Sequence, residues 1–159
     1  MITQKELLER FDYQDGELYL KEAIWGHKVG QKIGSVDSHG YIKTTYKNKS
    51  CLVHRFIFMM HHGYLPKQVD HINLDKTDNR IENLRAATRS ENLRNRSMAK
   101  SNKSGVKNVH WLTKNKQWIV NLTVDKKRLF IGGFKDLEAA ELVAQLAREK
   151  YHGKFARHI

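Results

Sequence analysis

The stretch DHINLDKTDNRIENLRAATRSEN, residues 70–92, most constrains how this chain can fold. It is strongly polar and contains four asparagines, yet segments with the apolar periodicity of folded protein flank it. A polar loop must satisfy its own backbone groups, and Asn or Asp side chains do so by bonding to nearby main-chain atoms. The pattern predicts a strand over 69–72, a polar loop over 77–83, a returning strand over 84–87, and a helix begun by a capping box of Thr88 and Glu91.

The residues before this stretch predict a scaffold of one β-meander between two helices. A capping box of Thr3 and Glu6 predicts a short N-terminal helix. β-formers alternate with glycine-containing turns between residues 16 and 54, which is typical of a small antiparallel meander. A second helix, expected to end near Gly63, follows from apolar residues at helical spacing: Leu52, Val53, Phe56, Ile57 and Met60.

The residues after the polar stretch predict a separate small domain. Residues 95–105 lack periodicity and carry three basic residues without an acid, so their later part is interpreted as a linker. Three short β-runs follow, and Asp136 is expected to cap a helix that Gly153 closes. The fold class is therefore α+β, with the N-terminal β scaffold and the strand-loop-strand-helix unit over 1–95, a basic linker over 96–104 and a three-stranded antiparallel sheet packed on one helix over 105–159.

The charge of the chain indicates a polyanionic partner. Lys and Arg number 29 against 17 Asp and Glu, so the formal net charge is +12. DNA, RNA and an acidic membrane surface would all fit this charge. No apolar run approaches the roughly 20 residues that span a bilayer, and the polar N-terminus does not resemble a secretion signal. A lone Cys51 cannot form an internal disulfide, so the expected location is the cytoplasm, without secretion.

The Asp70-His71 pair suggests hydrolytic chemistry. A hairpin packed on the following helix would bring this pair near Asn92 in the first turn of that helix. Carboxylate and amide oxygens suit Mg²⁺ or Mn²⁺, and a neutral imidazole can take a proton from water. Asn83 is the candidate that pins the loop, while Asn73 and Asn79 are interpreted as turn residues. Ordinary turn chemistry is the alternative, because neighbours in a regular strand face opposite ways.

Two regions resemble known families. Residues 53–95 resemble the HNH homing endonucleases of phages and introns, in the order Asp-His, loop, Asn-Leu-Arg and Glu-Asn. Residues 104–156 are similar to the plant ethylene-response-factor (APETALA-type) DNA-binding domain, through Gly105-Val106, Trp118, Gly133-Phe134 and the alanine-rich helix. The two modules occur together in phage-type endonucleases, in which case the location would be the cytoplasm of the host cell.

The first resemblance implies that residues 1–95 form a β scaffold plus an HNH nuclease domain, with a ββα-metal core over 69–97. It implies that His71 is the general base, that Asp70 and Asn92 hold one divalent metal ion, Mg²⁺ or Mn²⁺, and that Asn83 braces the loop. Asn92 stands where many relatives have a histidine, which should weaken the affinity for softer metals. His54 could also reach this site.

The second resemblance implies that the three-stranded sheet enters the major groove of double-stranded DNA. The residues it assigns to DNA contact are Lys107, Trp111, Trp118, Lys127 and Arg128. Core packing is an equal alternative for Trp118, and Val109 stands where an arginine is usual. Phosphate contacts are expected from Arg94 and Arg96, within a basic cluster around the site: Arg85, Arg89, Arg94, Arg96, Lys100 and Lys103.

The sequence is compatible with three functions. The first is a metal-dependent DNA endonuclease of the HNH homing type, which hydrolyses a phosphodiester and leaves a 5′ phosphate. The second is a noncatalytic DNA-binding regulator with a degenerate HNH unit. The third is a protein that binds or cuts RNA, although this sequence contains no aromatic RNA platform motif. No obligate protein partner is evident.

Overall fold

The computed structural model describes residues 2–24, 26–99 and 101–158. Within these, small antiparallel sheets and four α-helices confirm the α+β class. The contacts form two compact units, Met1–Thr88 and Arg89–Ile159. The domain bounds 1–95, 96–104 and 105–159 stay a prediction.

The first unit begins with helix α1 (Gln4–Arg10), and its predicted capping box is confirmed. The Thr3 hydroxyl accepts from the Glu6 amide, and the Glu6 carboxylate accepts from the Thr3 amide at 2.9 Å. Two amide donors at the start of the helix, which have no backbone partner within it, are thereby bonded.

Two small sheets follow, so the prediction of one meander is wrong. The first contains β1 (Phe11–Gln14), β2 (Glu17–Leu20) and β3 (Lys32–Ile33), and the second contains β4 (Ser35–Val36), β5 (Ile42–Tyr46) and β6 (Lys49–Leu52). The chain changes sheets at Gly34, whose φ is +96°. A Cβ there would lie 2.7 Å from the Ile42 side chain, so a larger residue would not fit this crossing.

The predicted second helix is confirmed as α2 (Val53–His62), which ends at Gly63. Val53, Phe56, Ile57 and Met60 are buried along it, as their spacing predicts. They pack in one core with side chains of α1 and of the first sheet, among them Leu7. This core holds α2 against the hairpin that carries the Asp-His pair.

That hairpin consists of β7 (Gln68–His71) and β8 (Leu84–Ala87), close to the predicted bounds. Asp70 lies opposite Arg85 in the antiparallel register. The loop between the strands contacts the N-terminal scaffold: the Tyr13 hydroxyl accepts from the Ile81 amide at 3.0 Å, and the Lys76 ammonium donates to the His39 carbonyl at 2.8 Å. The scaffold therefore helps to hold the loop in place.

The second unit begins with α3 (Arg89–Arg94) and continues with a sheet and a long helix. The strands β9 (Val109–Leu112), β10 (Gln117–Val124) and β11 (Lys127–Phe134) pair in the order β11-β10-β9. Helix α4 (Leu137–His152) begins at Asp136, whose carboxylate accepts from the Ala139 amide at 2.9 Å. The predicted three strands, helix and cap are confirmed.

Small residues let α4 lie close to this sheet. Ala140 and Ala144 are fully buried against Val109 and Val120.

None of the helices in the described part of the chain is both long and apolar enough to pass through a lipid bilayer.

Candidate functional site

His71 ends strand β7, and its ring is held by an asparagine from the loop. The ring Nε2 lies 2.9 Å from the Asn79 Oδ1. An amide oxygen can only accept a hydrogen bond, so Nε2 carries the proton and the basic nitrogen of the neutral ring is Nδ1. The contact thus selects one tautomer and one orientation for the ring of a residue that is 5% exposed.

Asn79, which the sequence analysis interprets as a turn residue, is buried. Its side chain is 1% exposed, because the loop folds back over the end of β7. Within the described residues its Nδ2 has no hydrogen-bond partner, which is a costly arrangement for a buried amide. The residue therefore serves His71 rather than the loop surface.

A second histidine, His54 on α2, packs against His71. The two ring centroids are 4.8 Å apart in an edge-to-face arrangement, and the Tyr41 ring lies 5.5 Å from that of His54. Burial, followed by the charges of His71 and Arg55, lowers the pKa of His54 to about 3. His54 consequently stays neutral at any pH near 7 and adds no positive charge beside His71.

Asp70 is buried beside His71 but contacts a different partner. Its Oδ2 lies 2.8 Å from both Nε and Nη2 of Arg85, the residue opposite it in the hairpin. His71 instead contacts α2 and the loop, as expected for neighbouring strand residues that face opposite sides. The proposed base and the proposed metal ligand therefore lie on either side of one strand end.

Asn83 joins the two ends of the loop. Its Oδ1 accepts from the Asn73 amide at 3.0 Å, and its Nδ2 donates to the Asn73 Oδ1 and to the Asp78 carbonyl. Within the loop, Arg80 bonds to the Asp78 carboxylate and holds the pKa of that acid at about 2. The loop geometry is thus determined by its own polar side chains.

The carboxylate of Asp70 is a ligand type that hard cations prefer. In the described ranges, no group of three His, Cys, Asp or Glu side chains is placed to enclose a metal ion. One carboxylate with water and phosphate as further ligands is the usual arrangement for Mg²⁺. Asn92 belongs to α3 in the second unit, and its sharing of a cation with Asp70 stays a prediction.

Arg94 and Arg96, the two arginines predicted to contact phosphate, differ in their surroundings. Arg94 bonds to the Asp125 carboxylate at 3.0 Å, whereas Arg96 is exposed. The Lys107 ammonium donates to the Arg94 carbonyl at 3.0 Å and also to the Arg96 carbonyl, and burial lowers its pKa to about 8. Lys107 therefore bonds to the end of α3, and Lys100 lies outside the described residues.

The sheet of the second unit has two unlike faces. Trp118 lies opposite Trp111 and Phe134 in the register and packs against the core on the α4 side, although Trp111 is 44% exposed. On the other face, Arg128 pairs with Thr123 and Phe130 pairs with Asn121. Phe130 is 63% exposed, and the strand alternation could have identified it. Lys127 is exposed at the start of β11.

Comparison with known proteins identifies the unit around the hairpin. Residues 51–94 match the model of a family described as HNH endonuclease. The chain is also 33% identical over 99 residues to Protein 3.8 of Escherichia phage T7, which covers 60% of this chain and 79% of that protein. No solved structure matches this chain significantly. The ethylene-response-factor resemblance finds no support in these matches and stays a prediction.

Proposed function

We propose that this chain, which belongs to the same family as Protein 3.8 of Escherichia phage T7 and carries an HNH endonuclease unit at residues 51–94, cuts double-stranded DNA with the help of a divalent cation. The observation that carries the proposal is the bond between His71 Nε2 and Asn79 Oδ1. It presents the ring as a base with a defined basic nitrogen, which is what proton abstraction from water needs.

In this proposal His71 takes the proton of the attacking water at Nδ1. The ring then becomes positively charged, and its Nε2 proton forms a stronger bond to the Asn79 oxygen. Asn79 therefore orients the base before the reaction and stabilises its charge afterwards. Attack at phosphorus with departure of the 3′ oxygen leaves a 5′ phosphate.

Asp70 is the proposed ligand for one cation, Mg²⁺ or Mn²⁺, with Asn92 as a second ligand. A cation bound there would offset the negative charge that develops on the phosphate and on the departing oxygen. Asn83 contributes by keeping the loop closed, so that Asn79 stays in contact with the base. The homing type of endonuclease, carried by the sequence resemblance, belongs to the same proposal.

The second unit is proposed to bind the duplex through its sheet. The face away from α4 offers Arg128 and the exposed Phe130, in keeping with the predicted major-groove contact. Lys127 and Arg96 can add phosphate contacts because both are exposed. Trp118 and Lys107 are better suited to internal packing, because one packs against the core and the other bonds to α3.

The test is cleavage of supercoiled plasmid in the presence of Mg²⁺ or Mn²⁺. We expect the wild-type protein to nick or linearise the plasmid and to stop when a chelator is added. His71→Ala should lose cleavage and still retain the plasmid in a gel shift, while His39→Ala, which changes an exposed histidine of the same unit, should cut normally. Undiminished cleavage by the His71 variant would reject the assigned base.

A noncatalytic DNA-binding regulator is the second candidate. Two observations favour it: His71 is 5% exposed, and the Asp70 carboxylate is bonded to Arg85. A regulator of this kind would bind the plasmid and leave it intact under every divalent cation tested. The same plasmid assay therefore separates the two candidates.

A further inference from the structure

The carboxylate proposed to bind the metal already holds a cation, the guanidinium of Arg85. Both Nε and Nη2 of Arg85 lie 2.8 Å from the same oxygen of Asp70. The side chains are 13% and 3% exposed, so water screens this pair little. The pairing of β7 with β8 places the two residues directly opposite, which brings them together without help from the loop.

A divalent cation and this guanidinium compete for one carboxylate. Mg²⁺ would sit about 2.1 Å from a carboxylate oxygen, and its two charges would then face the single charge of Arg85 across a few ångströms. Such repulsion is strong where water is largely excluded. Binding of the metal therefore requires Arg85 to leave or new negative charge to arrive.

DNA supplies that negative charge. A phosphodiester offers two oxygens in the geometry that a guanidinium bonds in a bidentate manner, as a carboxylate does. A phosphate that approaches Asp70 would attract Arg85 and add its own oxygen to the cation. The same event would remove the competitor and supply a ligand.

We propose that Arg85 gates the metal site, keeping the divalent cation from Asp70 until the backbone of bound DNA draws the guanidinium away. The proposal rests on the function proposed above and makes Arg85 a positioning residue. It predicts that DNA and metal strengthen each other's binding, since coupling between two ligands is reciprocal. A nuclease with this gate would hold little metal until it meets its substrate.

The experiment measures Mn²⁺ binding to the full chain without DNA, by the loss of the electron paramagnetic resonance signal of free Mn²⁺. Arg85→Met keeps much of the side-chain length and removes the charge, and it should bind Mn²⁺ at least tenfold more tightly than the wild-type protein. Adding Asp70→Asn to this variant should abolish the gain. Arg80→Met removes the partner of Asp78, another acid of the same unit, and should change Mn²⁺ binding by less than twofold.

Arg85→Lys and Arg85→Gln keep the test decisive if the methionine variant does not fold. The lysine variant retains a charge and should bind Mn²⁺ as weakly as the wild-type protein, whereas the glutamine variant should bind tightly. Duplex DNA should tighten Mn²⁺ binding at least tenfold in the His71→Ala background, and by clearly less once Arg85 is also replaced. Equal Mn²⁺ affinity in the charged and uncharged Arg85 variants would overturn the gate.

The failure of the gate and the failure of the nuclease are distinguishable. If the wild-type protein cuts plasmid with Mg²⁺ but the loss of Arg85 does not tighten Mn²⁺ binding, the gate is refuted and the nuclease stands. If no cation supports cleavage yet the uncharged variants bind Mn²⁺ tightly through Asp70, the gate stands and the nuclease is refuted.

Discussion

Acid should destabilise the first unit through His54. The folded state keeps this side chain 3% exposed and lowers its pKa from 6.5 to about 3, chiefly by burial and then by the charges of His71 and Arg55. Below pH 6.5 the unfolded chain therefore binds a proton that the folded chain excludes. The stability that depends on neutral His54 is fully present above pH 6.5 and is lost progressively as the pH decreases toward 3.

The size of the effect follows from the two pKa values. Each pH unit between them costs about 1.4 kcal/mol of stability. At pH 5, about 1.5 pH units below the pKa of the unfolded chain, His54 should lower the free energy of unfolding of the first unit by about 2 kcal/mol relative to pH 7.5. A variant without the imidazole separates the contribution of His54 from that of every other ionisable group.

His54→Phe is that variant, because it keeps a ring of similar size and removes the buried Nδ1 that has no hydrogen-bond partner among the described residues. Urea unfolding followed by circular dichroism at pH 7.5 and pH 5 gives the free energy of unfolding for both proteins. The variant should lose about 2 kcal/mol less than the wild-type protein over this interval. Equal losses in the two proteins would refute the assignment of a strongly lowered pKa to His54.

The remaining predictions concern the loop, the metal and the second unit. Asn79→Ala should lower single-turnover cleavage by about 10–100-fold with little change in DNA affinity, as expected when a group that orients a reacting side chain is removed. Gly16→Ala should destabilise the first unit by about 1–3 kcal/mol in urea unfolding, because φ is +87° and the new Cβ would lie 2.8 Å from the Arg80 nitrogen. Chelator should stop cleavage and leave plasmid binding in place, and added Mg²⁺ should restore cleavage. Arg128→Gln should reduce the slope of log affinity against log salt by about 1 in fluorescence anisotropy titrations, and an unchanged slope would exclude a phosphate contact by this residue.

Local features of the sequence were sufficient to predict most of the elements. The capping box of Thr3 and Glu6, the apolar stripe of α2 and the Asp136 cap each involve residues within a few positions of one another. Such patterns predict helices and strands directly, because the periodicity of a helix or a strand is a property of the local backbone. The sequence predicts one meander in place of the two N-terminal sheets because the break at Gly34 depends on side chains distant in sequence.

The candidate site shows the same division. From the sequence alone came the Asp-His pair and the likeness of its surroundings to an HNH endonuclease, since both depend on residue types in order along the chain. The tertiary structure decided that Asn79 selects the tautomer of His71, that His54 stays neutral beside it, and that Arg85 holds Asp70. These contacts join residues 8 to 17 positions apart in sequence. They form because hairpin register, loop closure and core packing bring those side chains together, and none of these is a property of a short stretch of sequence.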